Sequence, residues 1–578
     1  MKRQARGPRP LPFNPSWIVA PLVLVFVLTV VTAAARKSAT YDESVHIYSG
    51  WRILTQGDFA INHEHPPLMK MLAALPLMPM DLKAPPTAVS REVDQWQAAH
   101  EFVYHVNDGD SVLAAARLPI ALLAAAMALV LYRLVASWYG VRAGLVALAL
   151  LVFEPNILAH SGLVTTDLGM TAMTLFTVGS FVTWLRTGAK RWLWSTGALL
   201  GLAFLTKFTA VLLGPVLAVL GAAWILLGED RGPHAGAAQR RGAAQRWKEL
   251  VVALAVVVAV GTLVLNLVYG FSGTFSSLRD FTPESERFRT MAAGPFGGVP
   301  LPLPVEYVRG FDHAEASGQR WWAYLFGEYS MTGWRHYYLA AIAVKTPIQL
   351  LLLAIAGVLA ATVLFARLPA DGESIPRFHA LLPLLVALVF LAAFTFSVNL
   401  KNIGLRYVLP VYPFLCMLGG LATRLRVPRI AAAWIVIPLL VWQAAIAVWI
   451  YPDFLTFFNL TVGGPARGAE VLLDSNLDWG QDLKGLGEFI RRRGIDRIYV
   501  DYFGRACRRY YGVTSTPDFE GGWIAVSATN LKGVYDQDKQ RYRFLDGLTP
   551  EAVIGRSIFV YDAPRPADWR PRAGQTED

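Results

Sequence analysis

Long apolar runs constrain this chain most, because about 20 consecutive apolar residues suffice for a helix to cross a lipid bilayer. Eleven candidate runs occur between residues 16 and 450, and only Lys207 separates two of them. This pattern predicts an α-helical polytopic membrane protein with about 11 transmembrane helices. The runs cover about 16–34, 113–136, 141–160, 168–186, 192–206, 208–228, 249–271, 338–366, 379–397, 404–423 and 430–450.

The composition supports this class and excludes others. Apolar residue types make up 54% of the 578 residues and charged types only 16%, whereas soluble proteins carry about 25% charged residues. A single soluble domain, a disordered chain and a fibrous protein are therefore excluded. The net charge of +11 is expected to reside in cytoplasmic loops and does not indicate nucleic acid binding. Cys416 in an apolar segment and Cys507 in a polar one predict neither a disulfide framework nor a cysteine-based metal site.

The distribution of lysine and arginine predicts the orientation, because cytoplasmic loops of membrane proteins are enriched in these residues. One set of alternate loops holds most of them, whereas the short loops on the other side hold only Lys207, Lys401 and Arg406. We therefore expect a cytoplasmic N-terminus and a first run that stays as an anchor. The large extracytoplasmic segments are then the loops at about 35–112 and 272–337 and the tail at 451–578.

The C-terminal segment differs from the rest of the chain, since charged residues become frequent after residue 450. Its pattern predicts a small extracytoplasmic α/β domain at 451–578, attached to a transmembrane domain at 1–450. The expected elements are a strand at 471–473, a helix at 482–493, strands at 497–502 and 522–527, a helix near 550–554 and a strand at 557–561.

Two polar clusters follow the first apolar run. Asp42 and Glu43 are adjacent acids, and neighbouring helical residues point about 100° apart, so one can face a cavity while the other supports it. The alternative is an ordinary helix N-terminus, where acids favour the helix dipole. The second cluster is His63-Glu64-His65-Pro66-Pro67-Leu68-Met69-Lys70. Its proline pair favours extended backbone, and its histidines are weak candidates for metal ligands.

Five motifs in order carry a family resemblance. They are Tyr41-Asp42-Glu43, His65-Pro66-Pro67-Leu68-x-Lys70, Phe153-Glu154-Pro155-Asn156-x3-His160-x4-Thr165-Thr166-Asp167, Asn402-Ile403-Gly404-Leu405-Arg406-Tyr407-Val408-Leu409-Pro410 and the segment 472–484. Together they resemble the protein O-mannosyltransferases (glycosyltransferase family 39) and the lipid A aminoarabinose transferases. The last motif is similar to bacterial phospholipid-carrier-dependent glycosyltransferases. The resemblance implies the C-type glycosyltransferase (GT-C) architecture.

The resemblance also implies a reaction, the transfer of a monosaccharide at the outer membrane face from a polyprenyl-phosphate donor. The acceptor would be a protein hydroxyl or a glycolipid, and direct displacement at the anomeric carbon would invert its configuration. Such a reaction needs a general base for the acceptor, and the match to these families assigns that role to Asp42. Glu43 is the second catalytic candidate, in a structural or acceptor-orienting role.

The departing lipid phosphate needs cations or backbone donors, and the candidates for binding it are Lys70, Lys207, Lys345 and Arg406. Lys207 breaks an apolar run and Lys345 lies inside one, and charges within a membrane usually mark function. The alternatives are snorkelling to the interface for Lys207, anchoring at the interface for Arg406, and a structural role for Lys70 and Lys345.

Glu64, His65 and Asp167 are candidates for supporting the acceptor or the donor sugar. In the aminoarabinose transferases the acids that match Glu64 and Asp167 contribute to the site, so a divalent metal, if one binds, is expected there. No cofactor is certain from the sequence. His65 stands where that family has lysine, which leaves the phosphate ligand at this position open. Glu154 and His160 favour structural hydrogen bonds.

The polar residues of the last motif have two interpretations. A tryptophan face and amide groups suit sugar recognition, whereas the same residues also build turns and helix caps, with Asp478 as a plausible N-cap. The residues concerned are Asp474, Asn476, Asp478, Trp479 and Gln481.

Three other functions are alternatives. A lipid or sugar transporter needs polar residues along a path through the bilayer, but the ionisable residues here concentrate at one face. A lipid-linked glycan ligase or polymerase would use the loop 272–337, which contains Arg309, Asp312, His313, Arg320 and Trp321-Trp322. A receptor or scaffold would rely on the tail. The expected location is a bacterial inner (plasma) membrane, and the expected partners are the lipid bilayer, the lipid-linked donor and the acceptor.

Overall fold

The computed structural model of the chain describes residues 14–89, 92–228, 242–318, 321–366, 375–397, 401–425 and 428–570. The α-helices are α1 (Ser16–Ala34), α2 (Glu43–Gln56), α3 (Leu68–Ala74), α4 (Glu92–Tyr104), α5 (Gly109–Tyr139), α6 (Val141–Val152), α7 (Pro155–Ser161), α8 (Thr166–Thr187), α9 (Lys190–Phe204), α10 (Leu213–Leu226), α11 (Ala243–Val268), α12 (Glu286–Ala293), α13 (Val305–Ser317), α14 (Tyr337–Lys345), α15 (Ile348–Ala366), α16 (Arg377–Thr395), α17 (Tyr412–Leu421), α18 (Arg429–Ile450), α19 (Leu483–Arg493) and α20 (Ala528–Leu531). The strands are β1 (Ala323–Leu325), β2 (Glu328–Ser330), β3 (Tyr499–Asp501), β4 (Gly522–Ser527), β5 (Ala552–Ile554) and β6 (Ile558–Ala563).

The longest apolar helices are candidates for crossing the membrane. Within the ranges just given, nine helices are long and apolar enough to cross a bilayer, and a tenth is added if the bent pair α6 and α7 forms one span. The expected run at 192–206 forms α9, which has only 15 residues and a length of about 22 Å. The predicted class, a helical multi-span protein with a small C-terminal α/β region, is confirmed.

Three helix breaks lie at or beside candidate residues of the sequence analysis, Glu154, Lys207 and Lys345. The helices α6 and α7 meet at Glu154-Pro155 with a bend of 64°. Extended backbone at Lys207, with φ −158° and ψ 142°, ends the turn after α9, so the weak boundary in the sequence is a real break. Pro347 separates α14 from α15, although the sequence predicts one span at 338–366, because proline disfavours helical backbone in the residue before it.

The tail contains a four-stranded sheet in the order β3-β4-β6-β5, in which only β3 and β4 are parallel. The strand at 522–527 and the helix at 482–493 are confirmed within a residue. The predicted strand at 471–473 is wrong, because this segment lies between two 3₁₀ turns. The predicted helix near 550–554 is also wrong, because Val553 and Ile554 favour a strand and pair with β6 in a hairpin.

The start of the tail packs directly against the chain that follows α1. The backbone N–H of Ser38 donates to the carbonyl of Gln481 at 3.0 Å, and that of Tyr41 donates to the carbonyl of Trp479 at 2.9 Å. Lys37 forms ion pairs with Asp453 and Asp482. The backbone immediately before Asp42 is therefore held by the last of the five motifs.

Candidate active site

Asp42 occupies the N-cap position of α2, but its side chain does not cap the helix. Its carboxylate Oδ2 lies 3.7 Å from Nη1 of Arg406, and its side chain is 19% exposed. A partly exposed carboxylate at this position can be reached by an acceptor hydroxyl, as a general base must be. The structure therefore places Asp42 in a position suited to its predicted role.

Glu43 lies in a different environment from Asp42. It is completely buried, and both of its carboxylate oxygens accept hydrogen bonds from Arg117, at 2.6 and 2.9 Å. The backbone N–H groups of Thr40 and Val164 donate to the same carboxylate. Burial by itself raises the pKa of Glu43, but the Arg117 guanidinium and these donors outweigh it and hold the pKa below its ordinary value. Of the two roles predicted for Glu43, this geometry fits the structural one.

Asp167 connects two cations, Lys207 and Arg406. It sits in the first turn of α8 with no exposed side-chain surface. Nζ of Lys207 donates to its Oδ1 at 2.5 Å, and Nη1 of Arg406 lies 3.6 Å from its Oδ2. The structure thus brings together Asp42, Asp167, Lys207 and Arg406, which the sequence distributes over four of its segments; we call these four residues the charged cluster.

Aromatic rings complete the surroundings of the two cations. The Arg406 guanidinium lies 4.4 Å from the ring centroid of Trp479, and the Lys207 ammonium lies 4.4 Å from that of Tyr407. Cation–π contacts of this kind hold a cation in place without neutralising its charge. Both side chains are therefore held in place by rings as well as by Asp167.

The backbone of Arg406 is positioned by the motif at 472–484. Oδ1 of Asn476 accepts a hydrogen bond from the N–H of Leu405 at 2.9 Å, and Oγ of Ser475 donates to the carbonyl of Ile403 at 2.7 Å. A Cβ at Gly404 would lie only 2.3 Å from Ser475 Oγ, so only glycine allows this approach. Two of the five motifs therefore form one structural unit.

The loop of the second cluster lies beside the charged cluster. The ring of His65 stands 5.0 Å from the ring of His46. Burial, then His46 and then the charges of Lys70, Lys207 and Arg406 hold the pKa of His65 well below its ordinary value. His65 is therefore neutral at pH 7 and offers hydrogen bonds rather than charge.

Lys70 and Glu64 mainly organise this loop. Nζ of Lys70 is buried and donates to the carbonyl of Asn62 at 2.9 Å, while the Asn62 amide donates to Oε1 of Glu64 at 2.6 Å. Burial lowers the pKa of Lys70 to about 7, against the opposing effects of Glu64 and Asp58. The contacts of Lys70 in this structure are with backbone, which fits its structural alternative.

Within the described residues, Lys345 makes no contact with the charged cluster. Its buried ammonium donates to the carbonyls of Leu455 and Asn476 and lies 4.5 Å from the ring centroid of Phe458. It fastens the end of α14 to the start of the tail. These contacts fit the structural alternative for Lys345.

The residues of the last motif differ in which of the two interpretations, sugar recognition or turn building, their contacts fit. Asn476 and Gln481 bond to backbone groups, Asp478 accepts from the N–H of Thr529, and the N-cap of α19 is Asp482 rather than Asp478. Asp474 bonds to the hydroxyl of Tyr535. Trp479 contacts the charged cluster through Arg406. The structural prediction for Glu154 fits, because Glu154 caps α7 through the N–H of Ile157. The ring of His160 lies 6.3 Å from that of Trp479, and a structural hydrogen bond from His160 stays a prediction.

Several buried polar atoms around the cluster lack a hydrogen-bond partner within the described part of the chain. Native proteins satisfy nearly all such atoms, so a group of exceptions indicates a place for water or a ligand. The atoms are Asp167 Oδ2, Arg406 Nε, His160 Nδ1, Glu64 Oε2 and His46 Nε2.

Two groups of side chains could hold a metal ion among the residues that the structure describes. One is His63, Glu284 and His313, and the other is His100, His105 and Cys507. Glu64 and Asp167, where the sequence places a divalent metal, belong to neither group. A metal at those two acids stays a prediction.

The sequence analysis misses two residues that the structure makes central. Arg117 donates to Glu43 and to the carbonyls of Ala34, Lys37 and Ser38, and it was detectable as a charge inside an apolar run. Tyr407 lies within the fourth motif, but nothing local indicates that its ring faces Lys207.

Comparison with known proteins identifies related families. Residues 102–265 match the model of a family described as dolichyl-phosphate-mannose-protein mannosyltransferase. No curated protein matches the chain. This family match confirms the resemblance to this type of glycosyltransferase that the motifs predict.

Several solved structures are similar over most of the chain. ArnT from Cupriavidus metallidurans in the apo state is 13% identical, with 95% of this chain and 99% of that chain covered and a TM-score of 0.47. The same protein bound to undecaprenyl phosphate is 14% identical, with 97% and 100% covered and a TM-score of 0.47. The archaeal oligosaccharyltransferase AglB from Archaeoglobus fulgidus, in complex with an inhibitory peptide and a dolichol-phosphate, is 11% identical, with 91% and 72% covered and a TM-score of 0.46.

Proposed function

We propose that this protein, whose residues 102–265 match the protein mannosyltransferase family, is a membrane glycosyltransferase. It moves a monosaccharide from a polyprenyl-phosphate donor to a hydroxyl of a protein or a glycolipid. The observation that carries the proposal is the charged cluster, in which one accessible carboxylate and two cations lie around one buried acid. These are the groups that such a transfer requires.

Asp42 is the general base of the proposed reaction. Its carboxylate takes the proton from the acceptor hydroxyl while the hydroxyl oxygen attacks the anomeric carbon of the sugar. The bond from this carbon to the lipid phosphate breaks in the same displacement, which inverts the configuration. One base suffices for this chemistry, so Glu43 is free to serve the structural role that its bonds to Arg117 indicate.

Lys207 and Arg406 stabilise the departing lipid phosphate. Negative charge develops on the phosphate oxygens as the bond breaks, and fixed cations in a site with little water stabilise it strongly. Asp167 holds both cations before the donor arrives, so they need little reorganisation. Nε of Arg406, which has no hydrogen-bond partner within the described chain, provides a donor for a phosphate oxygen.

The proposed location is a bacterial inner membrane with a cytoplasmic N-terminus. The distribution of lysine and arginine supports this orientation, and it puts the charged cluster and the tail on the outer side. Lipid-linked donors and envelope acceptors are both accessible from that side.

The ligase or polymerase alternative has less support. In the outer loop, Asp312 accepts hydrogen bonds from the N–H groups of Glu284 and Ser285, and Arg309 pairs with Glu306. These side chains stabilise the loop itself; Arg320 lies outside the described residues. The transporter alternative does not account for the charged cluster, because transport requires neither a general base nor a site for a leaving group.

Intact mass spectrometry of envelope glycolipids and secreted proteins tests the proposal. Wild type is compared with a deletion strain and with strains that carry Asp42→Asn or, as a matched control, Asp58→Asn, whose carboxylate pairs with Arg52. We expect the deletion and Asp42→Asn to lose the same hexose- or pentose-sized increment, and Asp58→Asn to keep it. If the deletion removes no glycan increment, the transferase function is wrong. If the deletion loses the increment but Asp42→Asn keeps it, the base is wrong.

A further inference from the structure

The second group of potential metal ligands lies between the first outer loop and the tail. His100 lies on α4, His105 directly follows α4, and Cys507 belongs to the tail. One nitrogen of each histidine and Sγ of the cysteine lie within 4.8 Å of one another, and Cys507 is buried whereas His105 is exposed. About 400 residues separate the histidines from the cysteine along the chain, so no spacing motif indicates this site.

The contacts of these side chains suit metal coordination. Nδ1 of His100 lies 3.2 Å from the carbonyl of Arg505, which is the contact that a metal-bound histidine usually makes with its other ring nitrogen. Nε2 of His105 lies 4.0 Å from Sγ of Cys507, and the N–H of Tyr510 points at this sulfur at 3.4 Å. An N–H donor stabilises a thiolate, which is the form that binds metals.

We propose that His100, His105 and Cys507 form a binding site for a divalent metal ion of the zinc class. Zinc takes sulfur at about 2.3 Å and nitrogen at about 2.0–2.1 Å in a tetrahedron, so the three atoms need to move closer by about 1 Å. A water molecule takes the fourth position on the exposed side of His105. Thiolate and imidazole ligands select zinc-like ions over magnesium and calcium, which prefer oxygen. This site is separate from the charged cluster and does not depend on the proposed function.

The site joins two elements that position the residue before Asp42. Arg505, two residues from Cys507, lies 4.2 Å from the ring of Trp96 on α4 and 4.7 Å from the ring of Tyr41. A metal bridge between α4 and the tail fixes Arg505 between these rings. Metal binding therefore stabilises the backbone that leads into Asp42, which couples occupancy to the stability of the outer region.

Cobalt substitution tests the site with an optical signal. Co²⁺ bound by a thiolate gives a sulfur-to-metal charge-transfer absorption, whereas Co²⁺ held by nitrogen and oxygen alone does not. The purified full-length protein is titrated with Co²⁺ in detergent, beside Cys507→Ser and the matched control Cys416→Ser, whose sulfur is buried in α17. We expect one equivalent to produce the band in wild type and Cys416→Ser, and Zn²⁺ to displace it.

Two further variants separate binding from folding and from the other histidine group. His105→Ala, at an exposed position, should weaken Co²⁺ binding at least about tenfold, while His313→Ala should leave the band unchanged. Zn²⁺ should raise the thermal unfolding midpoint of wild type but not of His105→Ala. Absence of the band in wild type, its survival in Cys507→Ser, or unchanged binding in His105→Ala would overturn the proposal.

Discussion

The Asp42 carboxylate lies 3.7 Å from the Arg406 guanidinium, and the same guanidinium lies 3.6 Å from Asp167. One cation therefore stands between an accessible acid and a buried one. The buried acid also binds Lys207, so both cations are held by Asp167 as well as by any contact with Asp42. This arrangement leaves Asp42 available to react with an acceptor while the cations stay fixed.

Asp42→Asn should lower the rate of transfer by at least about 10²-fold, because the amide cannot take a proton from the acceptor. Binding of undecaprenyl phosphate should stay within a few-fold of wild type, since Lys207 and Arg406 remain. Transfer rates from membranes and lipid binding by the purified protein provide the measurement. A rate near that of wild type would remove Asp42 from the mechanism.

Two buried lysines should respond differently to the same change. Lys207→Met removes a cation from the charged cluster and should lower kcat/KM for the lipid-linked donor by about 10²-fold. Lys345→Met instead leaves the carbonyls of Leu455 and Asn476 without their donor, which should cost roughly 1–3 kcal/mol of stability with donor dependence unchanged. Steady-state kinetics and thermal unfolding distinguish the two, and equal kinetic defects would contradict the separation.

The sequence predicts the class of fold from local signals, whereas Asp42 and Asp167 of the charged cluster are predicted from the family resemblance. Apolar runs indicate the membrane spans, and a charged residue such as Lys207 that interrupts a run indicates a functional or structural role. The same signal could not separate Lys207 from Lys345, because their partners are distant in sequence: Asp167 for one, and carbonyls of the tail for the other. Which buried cation faces a ligand is decided by tertiary contacts.

The errors in the tail have a similar cause. The segment 550–554 was predicted as a helix, but it forms β5 because β6 provides a hydrogen-bonding edge, and strand propensity depends on such neighbours more than on the segment itself. Asp478 was a plausible cap from its position, yet the helix begins five residues later with Asp482 at its N-cap. Both errors arise where local patterns fit two structures equally well.

Glu43 and Arg117 should behave as one buried ion pair. Glu43→Gln leaves the buried Arg117 charge without its acidic partner, and Arg117→Met leaves the buried Glu43 charge without its donors. Each single variant should cost about 3–5 kcal/mol of stability. The double variant should lose clearly less than the sum of the two, because neither partner is then left alone. Denaturation of the purified variants measures this coupling, and additive losses would contradict it. If Glu43→Gln instead abolishes transfer without destabilising the protein, Glu43 has a direct catalytic role.

Lys70 predicts a pH dependence of stability with a definite sign. Burial lowers its pKa in the folded protein to about 7, whereas the unfolded chain keeps the ordinary value of about 10.4. Between these values the unfolded chain binds one more proton, so stability rises with pH from about 7 by at most ~1.4 kcal/mol per unit. The stability of wild type relative to Lys70→Met should therefore increase between pH 7 and 9.

Lys37→Met is the control for this pH effect. Burial lowers the pKa of Lys37, but Asp482 and Asp453 outweigh it and raise the pKa above its ordinary value. Lys37 is then protonated in both states up to pH 9, so its contribution should stay constant from pH 7 to 9. Thermal unfolding in detergent over this range provides the measurement. The proposed pH effect would be contradicted if the stability difference between wild type and Lys70→Met stayed constant from pH 7 to 9. It would also be contradicted if the difference between wild type and Lys37→Met increased over that range.

Gly404→Ala should disturb the charged cluster through a defined clash. A Cβ at this position would lie 2.3 Å from Ser475 Oγ but 3.5 Å from Ser475 Cβ, so Gly404→Ala should displace Arg406 and lower transfer. Adding Ser475→Ala removes the hydroxyl and should restore most of the activity, at the cost of about 1 kcal/mol for the lost bond to Ile403. Gly214→Ala, in a helix with open space around it, should leave transfer unchanged. If the double variant is no more active than Gly404→Ala alone, contact between the two motifs does not position Arg406.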